Sequence, residues 1–519
     1  MKTDELLIRG GLTRRHFFLL SGGAAVAGLS GLPALAQEAV KAGGVLKVVA
    51  PTNPSSLDPA TGGSGFDHSF LWTIHDTLVE WDYDTLVPHP GLAAWAFPDP
   101  KTMVLDIVPD VFFHDGTPLD AAAVKFNIER GRDDERSNIK ADLANVDSVN
   151  VTGPLQVTLG LKSPDSALPA ILSDRAGMMA SPAAIAKHGA DSNRNPVGCG
   201  PWKFVSWTDN DRVVVTRNEN YRRAERPLLD GIEFVIIPES ATGLRSVTSG
   251  GNDMIYQVPA RLKAVLDRTP AVQQFVAPTL ACAKFYLNFG RAPFDNLKVR
   301  QALNFAIDRQ AFIAAALGGV GEPAAMLLPK AHWAYDGTLA DLYPYDPDRA
   351  RALLAEAGHK DGLELNLGGF NDQDQVLRSE IMQAQLEKAG FKPRFTRGNL
   401  PEIAAQFYGN EKKFDALLSL WTGRPDPSMT YGSLFGGESY YNAGRTAEPS
   451  LTALLARSRE VEKTEERAKV FSELQRNVME NALTAPIAFS FELSGLVERF
   501  AGYEPNLLGK PKFDAIHIV

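Results

Sequence analysis

Residues Asn195–Asn220 read NPVGCGPWKFVSWTDNDRVVVTRNEN. The stretch predicts one β-hairpin. Trp202–Trp207 is a strand of aromatic and β-branched residues, Thr208–Asp211 a polar turn, and Arg212–Arg217 a valine-rich return strand. Ahead of it stands a stiff knot, Gly198-Cys199-Gly200-Pro201, whose two glycines permit backbone angles that other residues avoid. Nothing in the stretch is a nucleophile, a phosphate cradle or a complete metal site. A rigid hairpin without chemistry of its own points to a binding scaffold.

The N-terminus reads as an export signal. Lys2, Arg9, Arg14 and Arg15 precede an uncharged apolar run, Phe17–Leu35, and Ala34-Leu35-Ala36 fits a signal-peptide cleavage site, so residues 1–36 are expected to be removed. Arg14-Arg15 followed by His16-Phe17-Phe18 is similar to a twin-arginine signal. Glycines and Pro33 interrupt the run, which argues against a permanent membrane span. The mature chain is expected to be soluble, periplasmic and monomeric. The whole chain has 519 residues and a net charge of −9. That length predicts two or more domains. The acidic balance gives no footprint for nucleic acid or anionic lipid. Cys199 and Cys282 are the only cysteines. They read either as a possible disulfide or as two buried thiols.

Strands and helices are mixed along the chain. Gly44–Ala50, Met103–Val108, Gln156–Leu161 and Ile232–Ile237 read as strands, the last apolar enough to be covered on both faces. Asp120 reads as a helix cap. Lys298–Leu317 predicts an amphipathic helix, and Asp346-Pro347 starts another. Leu363–Leu367, Gln373–Ala389 and Lys392–Thr396 form a strand–helix–strand crossover, and Ser450–Ala482 reads as one long helix.

Together these features resemble the extracytoplasmic solute-binding proteins of family 5, the peptide/nickel type that serves ABC importers. The resemblance rests on Ser56-Leu57-Asp58-Pro59, Phe113–Leu119, Gly198–Trp207, Arg217–Tyr221, Leu287-Asn288-Phe289 with Val299–Ala302, and Asp346–Ala350 with Leu353-Leu354. It implies an α/β, two-lobed periplasmic-binding-protein fold (type II, cluster C-like), with mixed sheets flanked by helices and a ligand cleft between the lobes. Lobe 1 would hold residues 37–282, with an extra subdomain at about 80–175, and lobe 2 residues 283–487. Residues 488–519 would return to lobe 1. The implied function is capture of a small peptide-like or amino-acid-like solute by lobe closure and delivery to an inner-membrane ABC permease. No cofactor and no catalysis are implied. Three departures stand out. Cys199 replaces the family's threonine, and Ser450 is left to cap a helix that an aspartate usually opens. Gly368–Asp372 lacks the arginine that dipeptide binders carry there.

Ligand contact is expected from the loop Trp421-Thr422-Gly423-Arg424-Pro425-Asp426-Pro427, which follows the apolar strand Ala416–Leu420. In peptide-binding relatives a carboxylate on this loop grips the ligand amine, and Asp426 matches it. Arg424 suits a ligand carboxylate and Trp421 an apolar or cationic part. The bland alternative pairs Arg424 with Asp426 across the turn and buries Trp421 in the core. Replacing Arg424 or Asp426 by Ala is expected to abolish binding without unfolding the chain. Phe66, Asn371 and Tyr440 are further candidates. His114-Asp115-Gly116 reads as a structural turn.

Two rival functions find partial support in the sequence. A penicillin-binding-type hydrolase would use Ser137-Asn138-Ile139-Lys140, but its companion motifs are absent. Metal-chelate or haem binding by the same fold is weakened by scattered histidines, since His68 and His75 lack helix-turn spacing.

Overall fold

In the computed structural model the hairpin forms as read. Trp202–Thr208 pairs antiparallel with Arg212–Arg217, and Asn210 closes the turn at φ 58°. The described residues are 41–437, 439–445 and 448–519, so the export segment lies outside them. The knot differs from expectation. Neither Gly198 nor Gly200 has a positive φ. A Cβ on Gly198 would lie 2.0 Å from the Ile74 carbonyl oxygen, and one on Gly200 2.7 Å from the Ile74 carbonyl carbon. Glycine is required there for close approach to the end of helix His68–Ile74, not for an unusual angle. The His114 turn is structural: Thr117 N–H and Oγ donate to Asp115 Oδ1, and Ser181 Oγ donates to Oδ2.

The hairpin is the edge of a seven-stranded mixed sheet. Inward from it lie Gly231–Ile236, Val45–Ala50, Met254–Ile255, Glu492–Val497 and Val272–Ala277. Val45–Ala50 runs parallel to both its neighbours. A second, six-stranded sheet has the order Gly321–Pro323, Thr484–Ser490, Cys282–Leu287, Ala416–Trp421, Leu363–Phe370, Phe391–Gly398. Its last two strands are parallel and joined by helix Gln373–Lys388, the predicted crossover. A four-stranded antiparallel sheet, built from residues 93–107 and 146–161, packs with helix Ala121–Asp133 in a separate core. Asp120 caps that helix. Arg130 on it pairs with Asp58 of the Ser56–Pro59 motif, which gives that motif a structural role.

The chain passes between the two large sheets twice. One passage is residues 278–281, between Val272–Ala277 and Cys282–Leu287. The other is Phe491 alone, between Thr484–Ser490 and Glu492–Val497. The passages are laced together: Thr279 Oγ1 donates to the Ser490 carbonyl at 2.6 Å, and Ser490 N–H donates to the Ala281 carbonyl at 2.9 Å.

Three expectations are corrected. The helix read at Lys298–Leu317 is two, Leu297–Phe305 and Arg309–Ala316, because Asp308 caps a fresh start. The helix read at Ser450–Ala482 is also two, Pro449–Glu460 and Thr464–Glu480. Ser450 is not the cap: Glu448 occupies that position without a side-chain bond, and Ser450 Oγ accepts from Asn477 Nδ2. Of the two readings left open for Cys199 and Cys282, the pair of buried thiols holds, with no disulfide between them. Both are free and buried, Cys199 in the core of the four-stranded sheet and Cys282 in that of the six-stranded sheet.

Candidate functional site

Strand Ala416–Trp421 is apolar and central in its sheet, so it ends where its sequence turns polar. Gly423 bends the chain at φ 75°, and a Cβ there would stand 2.2 Å from the Leu280 Cβ. Both facts demand glycine. Pro427 then opens helix Pro427–Phe435, with Asp426 as its cap.

The face of this strand borders a cavity of about 240 Å³, with Trp421, Arg424, Tyr286, Tyr408, Tyr440 and Tyr441 in its wall. The rings meet edge-on. Trp421 and Tyr441 are 5.5 Å apart, Tyr286 and Tyr408 5.8 Å, and Tyr440 and Tyr441 5.3 Å. Trp421 Nε1 donates to Thr430 Oγ1 at 3.2 Å, and Tyr286 Oη to the Leu420 carbonyl at 3.2 Å. These bonds fix two of the rings. Arg424 is half-buried, with its guanidinium 5.9 Å from the Trp421 ring centroid. Among the described residues it makes no hydrogen bond or ion pair. A cation with its charge unspent beside aromatic walls is suited to a carboxylate.

A charged cluster lies within electrostatic reach of Arg424, whose charge bears on Lys510 and Asp142. Lys510 Nζ is 3.4 Å from His68 Nε2, and His68 in turn meets Asp174. Burial draws the Lys510 amine down to about 8. Burial would raise the Asp174 carboxyl, but His68 and Lys510 hold it well below its ordinary value.

The predicted site residues divide. Trp421, Arg424 and Tyr440 come together at the cavity. Asp426 does not border it. It is 2 % exposed, and both oxygens face Arg467, at 3.0 and 2.8 Å, while Oδ1 also accepts from Ser428 N–H. Arg467, not Arg424, is its partner. Asn371 is exposed beyond the end of strand Leu363–Phe370, and its N–H donates to the Gly398 carbonyl. Phe66 is exposed on the turn Gly65–Asp67, two residues before His68 and outside the cavity wall. Sequence reasoning missed Tyr286 and Tyr408. Tyr286 lies in a strand buried along its whole length and Tyr408 at a helix end, and neither position gave a local signal.

A larger open cavity, about 530 Å³, lies beside the hairpin. In its wall Arg222 pairs with Asp76 and Glu80, and His114 Nε2 bonds the Gly200 carbonyl. Among the described residues no group of three or more His, Cys, Asp or Glu side chains is placed to hold a metal ion. No helix among them is long and apolar enough to cross a membrane.

Two mixed sheets joined by two short passages, with an aromatic cavity at the end of a central strand, define a solute-binding protein. Comparison with known proteins names the family. Residues 86–443 match the bacterial extracellular solute-binding proteins, family 5 Middle. The chain belongs to that family, and solute capture for an ABC importer is the function the family carries. The glutathione-binding protein GsiB of Salmonella paratyphi A is 27% identical over 92% of this chain and 93% of its own. GsiB of Pectobacterium atrosepticum is 30% identical over 71% of this chain and 72% of its own. Among solved structures, HbpA2 of Haemophilus parasuis superposes with a TM-score of 0.81 at 24% identity, covering 92% of this chain and 100% of that one. The dipeptide-binding protein of Pseudoalteromonas sp. SM9913, in complex with Met-Leu, gives 0.78 at 22%, covering 92% and 100%. These likenesses establish the two-lobed fold.

Proposed function

We propose that the exported chain binds a short peptide-like solute at the Trp421–Arg424 cavity and hands it, chemically unaltered, to an inner-membrane ABC permease. The observation that carries this is Arg424, a cation without a partner among the described residues, set in a wall of tyrosines and tryptophan. The names of the relatives support it, since they bind glutathione and a dipeptide. In this reading Trp421 and Tyr440 pack the solute's apolar part, and Asp426 positions the loop through Arg467 rather than touching the solute. Phe66 and the Lys510 cluster meet the solute from the other lobe. Lobe 1 runs to the passage at 278–281 and resumes after Phe491, and the passages act as the hinge. Residues 1–36 direct twin-arginine export. Closure follows from differential affinity: a solute that touches both lobes only when they are shut shifts the population toward the shut form.

Calorimetry with glutathione and a panel of di- and tripeptides tests the reading. At least one should bind the wild-type protein. Arg424→Ala should then weaken binding at least tenfold, because truncating one partner of a buried charge pair costs about 2–5 kcal/mol. Its melting temperature should not move, since Arg424 holds no bond in the fold. Undiminished affinity in the variant would overturn the assignment.

A further inference from the structure

Strand Cys282–Leu287 is buried along its whole length, yet it carries a lysine. Lys284 is 1 % exposed. It shares a face with Cys282 and Tyr286, because alternate residues of a strand point the same way. Its register partners are Ser419 on one side and Pro486 on the other, and neither is an anion. Among the described residues its ammonium makes no hydrogen bond and no ion pair. It lies instead over the Tyr286 ring, with Nζ 3.7 Å from the centroid. That ring and Ser419 both border the cavity that Arg424 enters.

An ammonium so deep and without a counter-ion is costly. Burial accordingly pulls the Lys284 amine down to about 7. The titratable groups around it bring no negative charge. Burial pushes the Cys282 thiol up to about 12 and raises the Tyr286 and Tyr431 hydroxyls above their ordinary range. A hydrocarbon side chain would suit the core better, so the position makes physical sense only if an anion arrives from the cavity.

Resting on the peptide reading above, we propose that Lys284 is a second anion seat in the same site. The solute then carries two carboxylates, one met by Arg424 and the other by Lys284, with the aromatic wall packing the atoms between them. A carboxylate beside the amine favours its charged form, so binding near neutral pH takes up a proton.

The test is calorimetry of the exported protein with glutathione, which has two carboxylates, and with its two mono-amides, each lacking one of them. Wild-type protein should lose at least tenfold in affinity for either amide. Lys284→Met should bind glutathione at least tenfold more weakly and become indifferent to one of the two blocked positions. Arg424→Ala should become indifferent to the other. Lys284→Met should melt at or above the wild-type temperature, because it keeps the volume and removes an unpaired charge. That gain should shrink as pH rises from about 7 toward the amine's ordinary range, where the wild-type side chain is neutral in the fold. The proposal is overturned if Lys284→Met binds glutathione like wild type, or if it stays sensitive to both blocked positions. If neither glutathione nor any peptide of the panel binds wild-type protein, the peptide reading itself falls and takes this one with it.

Discussion

Replacing Arg467 by Met should cost about 3–5 kcal/mol of folding stability, the usual loss when one member of a buried ion pair is removed. Arg467 is 5 % exposed and grips both oxygens of Asp426, which is 2 % exposed. Its Nε also donates to the Ser458 carbonyl, and its guanidinium lies 5.4 Å from the Trp333 ring centroid. Without it, the Asp426 carboxylate is left in the core with only the Ser428 contact. Burial alone would raise that carboxyl, but Arg467 holds it below its ordinary value. The pair's contribution is therefore full at neutral pH and fades as pH falls from the ordinary carboxylate range through the depressed one. Urea unfolding at neutral pH measures the loss. Adding Asp426→Asn, which removes the stranded charge and retains a capping oxygen, should recover part of it. A single variant as stable as wild type would show that the pair is dispensable.

Gly198→Ala should be comparably damaging. A methyl there meets the Ile74 carbonyl oxygen at 2.0 Å and His75 Nδ1 at 2.7 Å. Neither neighbour can yield cheaply. Ile74 O accepts from Gly200 N–H at 2.9 Å, and His75 is buried between the Met179 and Leu57 carbonyls. Overpacking of a tight core typically costs about 1–3 kcal/mol, and a clash with backbone lies at or beyond the upper end. Gly432→Ala is the contrast. That glycine sits inside helix Pro427–Phe435 with nothing within 4 Å of the added carbon. The change should stabilise by about 0.5–1 kcal/mol through helix propensity. Thermal unfolding of the two variants should move in opposite directions, and equal shifts would refute the packing argument.

The hairpin and the crossover at 363–398 were legible because each is written in local pattern: β-branched runs, a polar turn, a helix between two strands. Helix interruptions were harder. Asp308 was visible as a residue but not as a cap, because the apolar face continues on either side of it. The gap before Thr464 contains neither glycine nor proline. The site was half legible. Trp421, Arg424 and Tyr440 stood out in polar-aromatic loops. The burial of Asp426 against Arg467 was not legible, because that partner is 41 residues away on another helix, and no local signal distinguishes a capping anion from a binding one. Tyr286 and Tyr408 reach the cavity wall only through sheet pairing and chain return, which a linear pattern does not encode.

Anyone transplanting the Trp421–Pro427 segment from a relative to alter cargo inherits a condition set far upstream. The bare α-carbon of Gly423 is seated directly on Leu280, within the passage that joins the two sheets. Any donor segment with a side chain at that place will press on that passage as well as reshape the cavity wall. If the passage is the hinge and the cavity the binding site, as proposed, selectivity and lobe movement are engineered jointly, and a library that varies the segment should vary residue 280 with it.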